Sequence, residues 1–383
     1  MLIQNGIIHP VDGPVIQKGF VATRGDKIAA VGTMENLPHE DFGEVFDAGG
    51  CHVTPGFIDA HCHLGMFGDS QGFEADDGNE CTDPVTPQLR AIDALNPMDR
   101  CFEEARRGGV TAVLTGPGSA NPIGGQFAAV KTTGHWVNDM ILAAPVSMKF
   151  AMGENPKTVY HERKETPSTR MATAAVIRTA LTKARGYQSR MERAEDAKEV
   201  PNFSEKNESL LPVLAGELPV HIHAHRADDI ATAVRLGEEF GLDYVIVHGT
   251  EGYLVAEELK QAGCTVITGP SLSDRSKPEL RNMTIENAAL LQKAGVPVAI
   301  CTDHPVIPIQ YLPLCAGLAV RGGMDVEAAL EAITLTPAKI GGLEKRMGSL
   351  TVGKDANIVV TAGHPFEMMS EVKLVLLDGK AVE

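Results

Sequence analysis

ELPVHIHAHRADDIATAV (residues 217–234) joins an extended segment to a helix within one short stretch. His221, His223 and His225 alternate with Ile222 and Ala224, the two-residue period of a strand. All three imidazoles then point to one face. From Asp228 to Gly241 the period changes, and DDIATAVRLGEEFG reads as an amphipathic helix. The stretch is therefore one strand–helix unit, with a row of histidines on its strand.

The same unit recurs on both sides. GVTAVLTGPG, FAAVKTTG, APVSMKFAMGEN, DYVIVHGTE, GCTVITGP and VPVAICTDH are apolar strand-like runs, with helical stretches such as TIENAALLQKAG between them. Repeated βα units imply a parallel sheet. With TPGFIDAHCHLG and the histidine stretch they make eight strands over roughly 290 residues, the pattern of a (β/α)8 TIM-type barrel whose site lies at the strand C-terminal ends. A doubly wound sheet is the alternative, but no GxGxxG opens a βα unit. Both ends of the chain differ from this middle. They consist of short β-rich runs punctuated by Gly and Pro. Residues 1–54 and 346–383 are expected to pair into a composite β-sandwich, and residues 55–345 to form the barrel. Residues 65–100 and 155–207 read as long insertions that shape a pocket, the second carrying a helix around TRMATAAVIRTALTKAR.

The chain has 383 residues and a net charge of −16, with 50 acidic against 34 basic groups. That balance argues against nucleic acid or an anionic membrane as partner. No apolar run approaches the ~20 residues of a membrane span. The N-terminus lacks a basic region followed by an apolar core, so no signal peptide is expected. Seven scattered cysteines, without a CxxC pair, fit a reducing, cytoplasmic setting.

Chemistry-bearing residues gather at the expected strand ends. Strand one ends with His61 and His63, strand four with Glu154, strand six with His248 and strand eight with Asp303, and strand five carries the histidine row. Any one of these alone is weak. If the barrel closes, they converge at one mouth, and neutral imidazole with carboxylate suits zinc and similar divalent ions.

TPGFIDAHCHLG (54–65) resembles the first-strand signature of the metal-dependent amidohydrolase superfamily, and GSLTVGKDANIVV (348–360) resembles its C-terminal β-segment. The order HxH, acidic residue or lysine, His, His, Asp is also similar. The resemblance covers essentially the whole chain and is to the imidazolonepropionase-like branch. It implies that His61, His63 and Asp303 hold one metal ion and His223 and His248 a second. It implies a bridging carboxylate, for which many members use a carboxylated lysine. On a regular strand Lys149 would face opposite to Glu154, so Glu154 is the expected bridge. Zinc is the expected metal, one ion or two, with manganese or iron as alternatives. A small-molecule substrate and a homo-oligomer are expected on the same ground.

The resemblance implies hydrolysis of an amide or cyclic amide. Asp303 would move the proton as general base and then acid, and His248 would act beside it. Heterocycle deamination, N-deacylation or dipeptide cleavage would use the same centre, and a metal-free scaffold is the non-catalytic alternative. Where the imidazolonepropionase branch carries His-Ala-Asp-Glu, this chain has His223-Ala224-His225-Arg226. The change argues against that activity. His225, Arg226 and His304 are the expected substrate contacts, and His221 lies a layer deeper. Because alternate strand residues are about 6.6 Å apart, the row is not expected to hold one ion by itself. His52 and His364 read as structural or surface residues.

Overall fold

The computed structural model describes residues 1–68, 72–196 and 198–382. Both chain ends enter one mixed sheet. From the N-terminal part come β1 (Leu2–Ile8), β2 (Ile16–Arg24), β3 (Lys27–Thr33), β4 (Val45–Asp47) and β5 (His52–Pro55). The barrel strands follow as β6 (Phe57–Cys62), β7 (Val110–Thr115), β8 (Ile123–Lys131), β9 (Ile141–Ala151), β10 (Val220–Ala224), β11 (Tyr244–His248), β12 (Thr265–Thr268) and β13 (Val298–Ile300). The C-terminal part returns with β14 (Ile358–Ala362), β15 (Glu371–Leu377) and β16 (Lys380–Ala381).

The terminal sheet runs β16-β15-β14-β5-β1-β2-β3, with β4 also paired to β1. The two ends meet where β14 pairs antiparallel with β5. Ile3, Val21, Ile28, Val53, Ile358 and Leu376 form its buried core. The pairing establishes that the two ends of the chain build one composite sheet.

The eight barrel strands form a second sheet in sequence order from β6 to β13. One strand departs from the expected βα repeat, because β8 runs antiparallel to both β7 and β9. The cause is the connection. Residues 116–122 join β7 to β8 without a helix, and a short connection reverses the chain where a parallel partner needs a longer crossover. The sheet is closed by the segment after β13. Asp303 N–H donates to His61 O at 3.2 Å, His63 N–H to His304 O at 2.9 Å, and Thr302 N–H to the Asp59 carboxylate at 3.0 Å.

Alternation sorts the strand residues. Ala60, Val245, Val247, Ile267, Ala299 and Cys301 share one small inner cluster. Val220, Ile222, Ile246 and Phe150 belong to the large outer cluster with helix residues such as Ile177 and Leu181. Truncating one of these, as in Ile267→Ala, costs about 2–5 kcal/mol. Helices flank the sheet, among them Ala227–Phe240 and the 24-residue helix Arg170–Arg193 within the second insertion. Thr169 starts the latter by accepting Ala172 N–H on its hydroxyl. No helix of the described residues is long and apolar enough to cross a membrane.

Candidate metal centre

Two groups of ligand-type side chains stand at the C-terminal ends of the barrel strands. His61, His63 and Asp303 form one, and His223, His225 and His248 the other, each with its ligand atoms within 4.8 Å of one another. His61 and His248 adjoin across the groups, with ring centroids 5.8 Å apart.

Regular strands alone do not produce this arrangement. On β10, Ile222 and Ala224 face outward, so His221 and His223 face inward as alternation requires. On β6, Ala60 lies in the inner cluster and Cys62 in the outer one, and the pairing register with β7 shifts between Asp59 and Cys62. That irregularity brings His61 inside. On β11, Val247 faces inward, so His248 would face outward. Its left-handed φ of 72° turns it back. Asp303 has a φ of 53°. Non-glycine residues in this region cost about 1–3 kcal/mol and concentrate at functional sites.

Four of the imidazoles are fixed through Nδ1. His63 Nδ1 donates to Gly116 O at 2.7 Å and His248 Nδ1 to Gly269 O at 2.7 Å. The hydroxyls of Thr250 and Ser119 stand 2.7 Å from His225 Nδ1 and 2.9 Å from His223 Nδ1. The carbonyl partners set the tautomer of His63 and His248 and leave Nε2 as the donor atom for a metal, and a hydroxyl that accepts can do the same for His223 and His225. His223 Nε2 is buried without a hydrogen-bond partner among the described residues. Burial lowers the pKa of His61, His223, His225 and His248, the last to about 4, so these rings are neutral at pH 7. Asp303 behaves oppositely. Burial would raise it, but His248, His63 and Lys149 outweigh that and hold it at about 2. Its Oδ1 is 3.2 Å from His63 Nε2. Neutral imidazoles, an ionised carboxylate and an orphaned inward nitrogen fit a divalent ion of the zinc type.

Glu154, expected to bridge, joins neither group. The strand ends at Ala151, and Glu154 is the first residue of the helix Glu154–Glu162. Its carboxylate accepts Glu279 N–H at 3.3 Å. Strand parity therefore does not apply to it. Lys149 faces the barrel interior instead, fully buried, with Nζ 2.9 Å from His61 Nε2. Burial lowers its pKa to about 7.

His225, expected as a substrate contact, stands inside the second group. β10 ends at Ala224, so strand spacing no longer separates His225 from His223, and their rings are 4.7 Å apart. Arg226 forms a two-pronged ion pair with Asp228 at 2.9 and 2.8 Å. Its charge is thus already neutralised. His304 is buried beside the first group through its carbonyl bond to His63. His221 is fully buried with both ring nitrogens unpartnered among the described residues.

Glu279 is a site residue that the sequence did not disclose. It is fully buried, 3.5 Å from His225 Nε2 and 2.6 Å from Lys277 Nζ. Burial would raise its pKa, but His225 and Lys277 hold it below the usual carboxylate range. A side chain at Gly153, whose φ is 79°, would meet the Glu279 carboxylate at 2.9 Å, so only glycine leaves room for it. Glu279 sits on a single 3-10 turn, Pro278–Leu280, in the connection after β12, and no periodicity marks such a position. A cleft of about 1400 Å³ lies between the two insertions. Its wall includes Pro117 and Ala120 on either side of Ser119.

The amidohydrolase family model matches residues 52–382. A solved amidohydrolase from Thermotoga maritima superposes with a TM-score of 0.95 at 45% identity, covering 100% of this chain and 99% of that one. Amidohydrolase tasK of Hapsidospora irregularis is 29% identical over 96% of this chain, which spans only 39% of that relative's length. Imidazolonepropionase of Flavobacterium johnsoniae is 24% identical, covering 91% of this chain and 86% of that enzyme.

Proposed function

The chain belongs to the amidohydrolase family, hydrolases of carbon–nitrogen bonds, and we propose that it cleaves a small linear or cyclic amide at a divalent metal centre. The observation that carries this reading is the pair of ligand groups at one barrel mouth, one of them holding ionised Asp303. A bound ion of this type supplies Lewis acidity and lowers the pKa of water to near 7.

His61, His63 and Asp303 would hold one ion, and His223, His225 and His248 a second. Lys149 is proposed as the bridging residue in place of Glu154. Addition of carbon dioxide to its neutral amine forms one N–C bond, releases one proton and leaves a carbamate with two oxygens. Burial supports this step, because it makes the neutral amine accessible near pH 7.

Asp303 accepts a proton from the attacking water and returns it to the leaving nitrogen, acting as base and then acid. His63 and His248 keep its carboxylate ionised. His225 acts on the metal side rather than as a substrate contact. With Arg226 tied to Asp228, substrate polarity is set by the cleft between the insertions. Its wall carries Asp76, Asp77 and Glu80 together with Arg90 and Arg163. The products are an acid and an amine, or a single ring-opened acid.

The test is turnover of protein loaded with zinc or manganese on panels of linear amides, cyclic amides and phosphoesters. Amine release or ring opening is the expected result. Turnover of phosphoesters alone would overturn the reading.

A further inference from the structure

A third histidine cluster lies away from the barrel mouth. His9 follows β1, His52 opens β5 and His364 lies just past β14. Three adjacent strands bring them together, since His52 pairs across with Ile7 on one side and Thr361 on the other. One ring nitrogen of each lies within 4.8 Å of the others. The ring centroids form a triangle with sides of 5.1, 5.8 and 5.1 Å.

The hydrogen bonds define where each ring carries its proton. His9 Nδ1 lies 3.1 Å from the carboxylate of Glu327, on the barrel helix Val326–Glu331. With that N–H donated, His9 Nε2 carries the lone pair, and it stands 2.8 Å from His52 Nδ1. His364 Nδ1 accepts Phe366 N–H at 3.3 Å. His364 Nε2 is buried with no partner among the described residues.

From these contacts we infer that His9 Nε2, His52 Nδ1 and His364 Nε2 form a further zinc-type site, oriented by Glu327, where the terminal sheet meets the barrel. A carboxylate behind a ligating imidazole is the usual outer partner of a metal-bound histidine. Tetrahedral ligation at about 2.0–2.1 Å puts nitrogens roughly 3.4 Å apart, so small ring movements suffice. On binding, the His52 proton moves from Nδ1 to Nε2 and the His364 proton from Nε2 to Nδ1, which gives up the Phe366 N–H contact, so none need be released. Burial lowers the pKa of all three rings, His9 to about 4, which leaves lone pairs in place of protons. The carboxylates of Glu327 and Glu367 act on His52 in the sense that favours positive charge. The fourth position is left to water, since Glu327 is engaged by His9.

Metal content tests the site directly, with zinc alone as the probe. Wild type and the His52→Asn/His364→Asn variant are equilibrated with zinc, gel-filtered and assayed for metal. The variant should carry about one equivalent less, with turnover within about twofold of wild type. Equal zinc in the two proteins would overturn the inference. Zinc-edge anomalous diffraction from wild-type crystals grown with zinc does not depend on the variant's folding. A peak between the three rings is expected, and peaks at the barrel mouth alone would refute the site.

Discussion

The Nζ of Lys149 lies 2.9 Å from Nε2 of His61, inside the barrel and away from solvent. Two nitrogens this close cannot both carry a positive charge at low cost. Burial keeps His61 neutral and lowers the Lys149 amine to about 7, so at most one of the two is charged at pH 7. This contact, and the bond from Glu154 to Glu279, places the weight of the centre on β9 rather than on the helix after it.

Lys149→Ala should therefore lose activity by about 10²-fold or more and bind metal more weakly. Glu154→Gln should keep its metal and stay within about tenfold of wild type, because the amide oxygen still accepts the Glu279 N–H. Metal analysis and kcat of the two variants decide between them. The opposite ranking would restore Glu154 as the bridge.

Asp303→Asn should keep most of its metal, since an amide oxygen remains. It should lose about 10²–10⁴-fold in kcat with little change in KM. Steady-state kinetics on the metal-loaded variant provide the check, and near-normal turnover would remove Asp303 from proton transfer.

The two inward histidines of β10 should behave differently. His223→Ala should weaken metal binding about 10–100-fold. His221→Ala should leave the metal content unchanged and lower stability through the cavity it creates. Isothermal titration with zinc, alongside thermal unfolding, separates the two effects. Metal loss on the His221 substitution alone would place the ligand two residues earlier.

Acid sensitivity follows from His221. Burial lowers its pKa from 6.5 to about 3, so the folded chain binds fewer protons there than the unfolded chain. Its stabilising effect is full above pH 6.5 and is lost as pH falls toward 3. The slope for this one group is at most about 1.4 kcal/mol per pH unit. In metal-free protein, His221→Leu should flatten the decline of stability between pH 6.5 and 4, measured by urea unfolding. An unchanged slope would mean that His221 is not neutral in the folded chain.

Much of the barrel was legible because buried strands alternate and helices follow them. The inward His221 and His223 obey that period. The other histidines of the two groups show where period alone runs out. His61 needs a register shift, His248 a left-handed backbone, and His225 a strand that stops one residue earlier. For Glu154, parity was extended past Ala151, beyond the end of β9, where it no longer applies. β8 reads as one more strand, but its direction depends on a connection too short for a helix. Glu279 lies in a polar loop that resembles any solvated one until its buried partners are known.

The connection of residues 116–122 has a further consequence. Gly116 holds His63 of the first group, and Ser119 holds His223 of the second. One reversal of the chain thus acts as a ruler between the two groups, since both rings take their orientation from the same seven residues. Lengthening it would disturb both at once.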